Sequence, residues 1–264
     1  MEQICFWNGN KTKARQEYEL GLLDACLRAS EGDYGSYILE LDNNDYPKPE
    51  DEGNVFDSDC DVLVTVAGNV KFENKQKIII NQPITKGLLG YRLLIIRNES
   101  VPVFKALRGI EDLQALSIGI PATWADAELF RQNHFNVLEQ GTLDDIFARL
   151  KNKEFDFIAL GANEIEEVFI KHVSIFDGMC IEASHMLYYP FPLIFYVHPE
   201  KPDLAKRIQS GLQAVMQNGR FEALFNQHHG DVVERLNLRN RHVFKLHNAL
   251  LPQELKHFSA TLLT

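Results

Sequence analysis

The sequence predicts an α/β fold: two Rossmann-like α/β lobes joined by two crossover strands. Three observations carry this reading. Short apolar, β-branched runs alternate with stretches at helical spacing, the pattern of strands and crossover helices. Leu93-Leu94-Ile95-Ile96 is continuously apolar, as suits a strand buried on both faces of a parallel sheet. The alternation runs from residue 1 to 97, restarts at 112 and ends in helices beyond 200, with the chain crossing between lobes near 93–110 and 190–199. The expected lobes are residues 1–95 plus 196–264, and residues 96–195.

Each element follows from its residues. Ile4-Cys5-Phe6-Trp7 is an apolar run stopped by Asn8-Gly9, a strand and then a turn. Tyr18, Leu22, Ala25 and Ala29 share one helical face. Strands are expected over 37–41, 62–67 and 78–80, the last stopped by Pro83, with a turn-rich stretch over 43–59 that holds Pro47, Pro49 and Gly53. Beyond 112, strands are expected over 117–120, 135–138, 157–160 and 194–197. Helices are expected over 123–132, 143–150, 164–169, 204–216 and 221–225. Asp144 and Asp145 in one first turn suit the positive end of a helix. The tail from Asp231 shows no strong period.

The net charge of −10 is uneven. Residues 1–61 carry 15 acids and 5 bases, and the remaining residues carry 22 of each, so the whole excess lies in the first quarter of the chain. A nucleic-acid binder would show a basic stripe instead. The densest run, Glu40 to Asp61, reads as a solvated loop or face, and it lacks the alternating ligand spacing of a calcium loop. Cys5, Cys26, Cys60 and Cys180 form no C-x-x-C and have no His at zinc spacing. His228-His229 beside Asp231 reads as solvated tail histidines, so no metal or other cofactor is expected. No apolar run approaches the ~18 residues of a membrane span. The first residues lack the basic and apolar regions of a signal peptide. The chain is expected to be either cytoplasmic or a mature form that begins after cleavage.

Several stretches, in order and over nearly the whole chain, resemble bacterial extracellular solute-binding proteins of family 3, receptors of polar amino acid ABC transporters with the periplasmic binding protein type 2 fold. The segment from Pro83 through Gly87, Gly90 and Tyr91 to Arg92 resembles the entry to the first crossover. Trp124-Ala125-Asp126 resembles the W-x-D of one subgroup, as do Phe155-Asp156-Phe157, Gly161 and Asn163-Glu164. Tyr189-Pro190-Phe191-Pro192 with Phe195-Tyr196-Val197 resembles the second crossover. Leu204-Ala205 through Gly211-Leu212, and Asn218-Gly219 through Leu224-Phe225, resemble the returning helices, and the similarity extends to Arg241–Pro252. The resemblance implies a monomeric receptor in the periplasm, in its mature form, partnered by an ABC transporter permease or a sensor protein.

The same comparison shows departures. Family receptors clamp the ligand carboxylate with a first-lobe Arg, whose planar fork meets both oxygens. Between Val64 and Glu73 this chain offers only Lys71. The subgroup's second-lobe Arg falls at Leu160, and the family's ammonium-binding Asp falls near Gly161. Weak or absent binding of glutamate and arginine is therefore expected.

The candidate ligand-binding residues are Trp7, Thr65, Lys71, Tyr91, Arg92, Thr123, Trp124 and Glu164. Each has a competing structural role. Trp7 ends the first strand, facing a ligand or filling the core. Thr65 at a strand end is a hydrogen-bond donor. Lys71 is an anion contact or a surface lysine. Tyr91 stacks on a ligand or fills the hinge. Arg92 meets a carboxylate or forms an ion pair across its lobe. Thr123 caps a helix that Trp124 opens, whose N–H groups favour an anion. Glu164 pairs with a cationic ligand or belongs to a solvated helix face with Glu166 and Glu167.

Catalytic motifs are missing: there is no G-x-S-x-G, H-E-x-x-H or phosphate-binding G-x-x-x-x-G-K-[ST]. The expected function is a non-enzymatic receptor that captures a small polar or anionic metabolite in an inter-lobe cleft and closes about its crossovers. The alternatives are a dehydratase or lytic transglycosylase-type enzyme on the same fold with Glu164 as its acid, and a degenerate receptor that binds a partner protein.

Overall fold

The computed structural model describes residues 1–46, 48–173 and 177–263, and of Pro49, Glu50 and Val173 only the backbone. Pro47, part of the expected turn-rich stretch, lies outside the described residues. In chain order the elements begin with β1 (Glu2–Trp7), α1 (Lys13–Ala29), α2 (Glu31–Tyr34), β2 (Tyr37–Asp42), α3 (Pro49–Gly53), β3 (Val62–Val66) and β4 (Ile78–Ile80). Next come β5 (Tyr91–Arg97), α4 (Val101–Lys105), α5 (Ile110–Gln114), β6 (Ser117–Ile120), α6 (Asp126–Gln132), β7 (Asn136–Glu139), α7 (Leu143–Lys151), β8 (Phe157–Gly161) and α8 (Ile165–Val173). The chain closes with β9 (Met179–Ile181), β10 (His185–Tyr188), β11 (Leu193–Val197), α9 (Pro202–Gln217), α10 (Arg220–His229), α11 (Val232–Arg235) and β12 (His242–Lys245).

These elements form two compact units. Unit 1 comprises Met1–Thr85, Leu193–Asp231 and Pro252–Leu255. Unit 2 comprises Lys86–Pro192, Val232–Leu251 and Lys256–Thr264. The division differs from the expected one, 1–95 plus 196–264 against 96–195. Strand pairing gives the reason: β5 bonds to β8, β9 and β10, and β12 bonds to β10, so β5 and most of the tail belong to unit 2.

Unit 1 is a five-stranded sheet in the order β2-β1-β3-β11-β4. β1 is parallel to both β2 and β3, while β11 runs antiparallel to β3 and β4. All five residues of β3 and of β11 are buried, which explains their unbroken apolar runs. The helix expected from residue 18 begins earlier, at Lys13. Thr12 is its N-cap, its hydroxyl accepting from the Arg15 N–H, which satisfies one of the free donors of the first turn. Helices α9 and α10 pack against α1. Arg207 of α9 is fully buried and bonds to Glu2 and to the Leu27 and Gly35 carbonyls.

Unit 2 is a seven-stranded sheet along the path β12-β10-β5-β8-β6-β7, with β9 also on β5. Its parallel pairs are β6 with β7, β6 with β8, and β10 with β12. The run 93–96 is buried as expected, but its strand is antiparallel to β8, β9 and β10 rather than part of a parallel set. Full burial, not parallel pairing, is what its composition reported. Helix α7 opens with a reciprocal cap: the Thr142 hydroxyl accepts from the Asp145 N–H while the Asp145 carboxylate accepts from the Thr142 N–H. These bonds hold the Asp145 carboxyl below its ordinary range.

The structure refines three local expectations. The helix expected over 123–132 starts at Asp126, because Thr123 sits at φ 72°, outside the helical region. The tail holds α11 and β12, elements too short to show a period. His228 and His229 lie on α10 rather than in a loop, with His229 buried and its ring 4.9 Å from that of Tyr18. Among the described residues no group of three or more His, Cys, Asp or Glu could hold a metal ion. No helix there is long and apolar enough to cross a membrane.

Candidate functional site

In open α/β sheets, ligands meet the carboxyl ends of the strands. Three candidates of unit 1 lie there. Trp7 is the last residue of β1, aligned with Leu63 of β3. Its ring is buried, its indole N–H donates to the Asn44 carbonyl at 2.9 Å, and Tyr46 lies 5.7 Å away. Thr65 is buried near the end of β3, where its hydroxyl accepts from the Asn69 side chain at 2.9 Å. Asn69 in turn accepts from the Lys71 N–H, so Thr65 sets the turn that carries Lys71. Lys71 is not a free surface cation. Its Nζ lies 2.7 Å from Glu52 Oε2, and Asn10 Nδ2 donates to the same oxygen at 2.8 Å.

A buried lysine that the sequence did not single out lies beside Trp7. Lys11 pairs with the fully buried Glu19 at 2.7 Å, and its ammonium stands 5.3 Å and 5.7 Å from the rings of Phe6 and Trp7. Burial pulls its ammonium below the ordinary lysine range, against the opposing pull of Glu19. The acidic run from Glu40 to Asp61 is accordingly not all solvated, since Glu52 is buried against Lys71.

Unit 2 holds the other five candidates. Arg92 stands in register with Gly161 of β8 and Leu187 of β10, and is buried. Its Nη2 is 3.1 Å from Asp126 Oδ2 and its Nη1 is 3.3 Å from Glu164 Oε1. The guanidinium lies 5.4 Å from the Tyr189 ring and 5.1 Å from the Phe191 ring, so cation–π attraction adds to the ion pairs. The Tyr189 hydroxyl donates to Asp126 Oδ2 at 3.0 Å. Burial, and then the Asp126 charge, push that hydroxyl far above its usual range despite Arg92, so it remains a donor. The ion pair across the unit is thus the role the geometry gives Arg92.

Glu164 does not stand on an open helix face. It precedes α8, and its Oε1 also accepts from the Gly161 N–H at 3.2 Å. Glu166 is paired with Arg235, and Glu167 is exposed. Tyr91 is buried with its ring 4.7 Å from Tyr188, and burial followed by Tyr188 lifts its hydroxyl to about 12. Thr123 does not cap α6, whose N-cap is Ala125. Its N–H donates to Glu139 Oε1 at 2.9 Å, and Glu139 is held by Arg131 at 2.6 Å. A β-branched residue at φ 72° costs about 1–3 kcal/mol, and such strain concentrates at ligand-contacting loops. Trp124 is partly exposed beside it.

The structure therefore brings Arg92 and Glu164 together directly and links Lys71 to Thr65 through Asn69. Asp126, Tyr189 and Phe191, read from the sequence only as parts of resembling stretches, complete one cluster, and Asn10 and Glu52, not marked by the sequence, complete the other. Asp126 was within reach of sequence reasoning as the third residue of Trp124-Ala125-Asp126. Glu52 was not, because nothing in an acidic loop marks the one member that turns inward.

No family model matches the sequence. No curated protein matches it either. Solved structures match it in fold. A mutant of ArgBP from T. maritima is 15% identical, with a TM-score of 0.58 over 86% of this chain and 95% of that one. A histidine kinase sensor domain with similarity to periplasmic binding proteins is 14% identical, with a TM-score of 0.61 over 86% and 96%. The GluR0 ligand-binding core from Nostoc punctiforme, in complex with L-glutamate, is 15% identical, with a TM-score of 0.55 over 86% and 98%. At this level of identity the matches establish architecture: the chain has the fold of the substrate-binding proteins of amino acid ABC transporters.

Proposed function

We propose that the chain is a solute-binding receptor that takes up a small polar, amino acid-like metabolite and returns it unchanged. The observation that carries the reading is the fold, matched along nearly the whole length of receptors for arginine and glutamate. It is supported by the aromatic, hydroxyl and charged groups gathered at strand ends within each unit. In this reading the partly exposed Trp124 and the strained Thr123 contact the ligand in unit 2, and Tyr91, Arg92 and Glu164 are the other contributing groups of that unit. Trp7, Thr65 and Lys71 serve the same purpose in unit 1. In this reading the protein works as a periplasmic monomer that hands its ligand to an ABC transporter permease or signals through a sensor partner.

Incubating purified protein with any solute that stabilises it, then recovering that solute for mass spectrometry, tests the reading. Unchanged solute bound in a one-to-one ratio is expected. Conversion of the solute, abolished in Glu164→Ala, would establish the enzyme alternative instead.

The pairing of Lys71 with Glu52 and of Arg92 with Asp126 and Glu164 favours a second reading, a receptor-like module that binds a protein in place of a solute. It predicts tight binding to a purified sensor or permease domain with no solute present.

A further inference from the structure

Residues 44–46 and 48–53 form a strap against the chain that ends and follows β1 and β3 within unit 1. Asn44 accepts from the Trp7 indole, Asp45 accepts from the Asn10 N–H at 2.6 Å, and the Tyr46 backbone exchanges two hydrogen bonds with the Asn10 side chain at 2.8 Å each. Two glycines permit this approach. A Cβ on Gly9 would stand 2.0 Å from the Asn44 oxygen, and one on Gly53 would stand 2.4 Å from the Lys71 oxygen. Both contacts are to backbone, which has no flexible end to move aside. The strap delivers Glu52 to Lys71, with side-chain exposures of 9% and 13%. Lys71 and Asn10 thus place an ammonium and an amide N–H on one carboxylate oxygen, which is how a protein receives the carboxylate of a ligand.

We propose that Glu52 is a built-in carboxylate that sets the ligand class. It fills the anion position on Lys71 and Asn10, so this face of unit 1 rejects solutes presenting a free carboxylate and accepts neutral or cationic ones. A second carboxylate brought to Lys71 meets the Glu52 charge at close range. Displacing Glu52 instead strands a mostly buried charge without its cation. Either cost excludes the acid, and exclusion by repulsion is a route to specificity. This inference rests on the solute-receptor reading.

Calorimetry with succinate and glutarate as acidic probes, and with succinamide and glutaramide as amide controls, tests it on the wild type, Glu52→Gln and the double variant Glu52→Gln/Lys71→Met. Glu52→Gln keeps shape and an acceptor oxygen but loses the charge. At least a tenfold gain in affinity for an acid over its amide is expected, and it should vanish in the double variant. Should Glu52→Gln fail to fold, Glu52→Asp withdraws the carboxylate by one methylene and should show a smaller gain of the same sign. Wild-type protein that binds an acid as tightly as the variants, or folded variants that gain nothing, would overturn the proposal. A wild type that binds an amine or amide while the variants gain nothing refutes Glu52's role and leaves the receptor reading standing. A wild type that binds none of the four probes, with variants that take up succinate, supports Glu52's role.

Discussion

Arg92 holds two acidic partners at once. Asp126 and Glu164 both depend on it, and Asp126 is almost fully shielded from water. Arg92→Met should therefore cost about 3–5 kcal/mol in urea unfolding, the usual result of stranding a buried charge. Arg92→Lys should cost less, since it keeps the charge but loses the fork that reaches both acids. A loss below about 1 kcal/mol in Arg92→Met would show that the carboxylates are held by other groups. Thr123 makes the opposite prediction. Glycine adopts φ 72° without steric cost, so Thr123→Gly should stabilise the fold by about 1 kcal/mol despite the added freedom of the unfolded chain. If the strained backbone positions Trp124 for a ligand, the same variant should bind more weakly while it unfolds later. Arg92 and Glu164 were both legible in the sequence, because each belongs to a recognisable stretch. Their bond to each other was not, since it depends on the register of β5 with β8 across about seventy residues of sequence.

At the scale of elements, local chemistry set the long helices and buried strands. Lys13–Ala29 follows a Thr cap, and Val62–Val66 and Leu193–Val197 read as buried runs because both their faces are covered. Strands β9, β10 and β12 escaped notice. They have three or four residues each, and they are strands because β5 and β10 offer them partners. Such pairing leaves no period in so short a stretch. Helix α8 carries a pH-dependent contact. His172 is buried and stacked on Phe147 of α7, 4.2 Å away, with Asp144 3.5 Å from its Nε2. Burial lowers its pKa from the ordinary 6.5, outweighing the pull of Asp144. The unfolded chain then binds a proton before the folded one does, so stability falls as pH drops below about 6.5 and levels off below the folded-state pKa. Thermal unfolding followed between pH 7.5 and 5.5 should show this slope, and His172→Gln should flatten it. An unchanged slope in the variant would assign the effect to other groups.

At the scale of the whole molecule, the alternation of strands and helices was enough to announce two α/β units. The boundaries were harder to read. The tail from Val232 returns to unit 2 by adding β12 to β10, a long-range parallel pairing with no local signature. The acidic excess of the first 61 residues falls wholly within unit 1, where Glu52, Lys71 and Asn10 form a closed cluster. A molecule built this way should respond little to free acids and more to neutral or basic solutes.

Thermal unfolding of the wild-type protein against amino acids, organic acids, polyamines and short peptides tests the central claim most directly. A solute present at 100 times its Kd adds about 2.7 kcal/mol to the stability of the folded state, a rise of several degrees for a chain of this size. The receptor account predicts such a saturable rise for at least one neutral or basic solute, and little for glutamate. A well-folded protein whose unfolding temperature is unmoved by every class would contradict it.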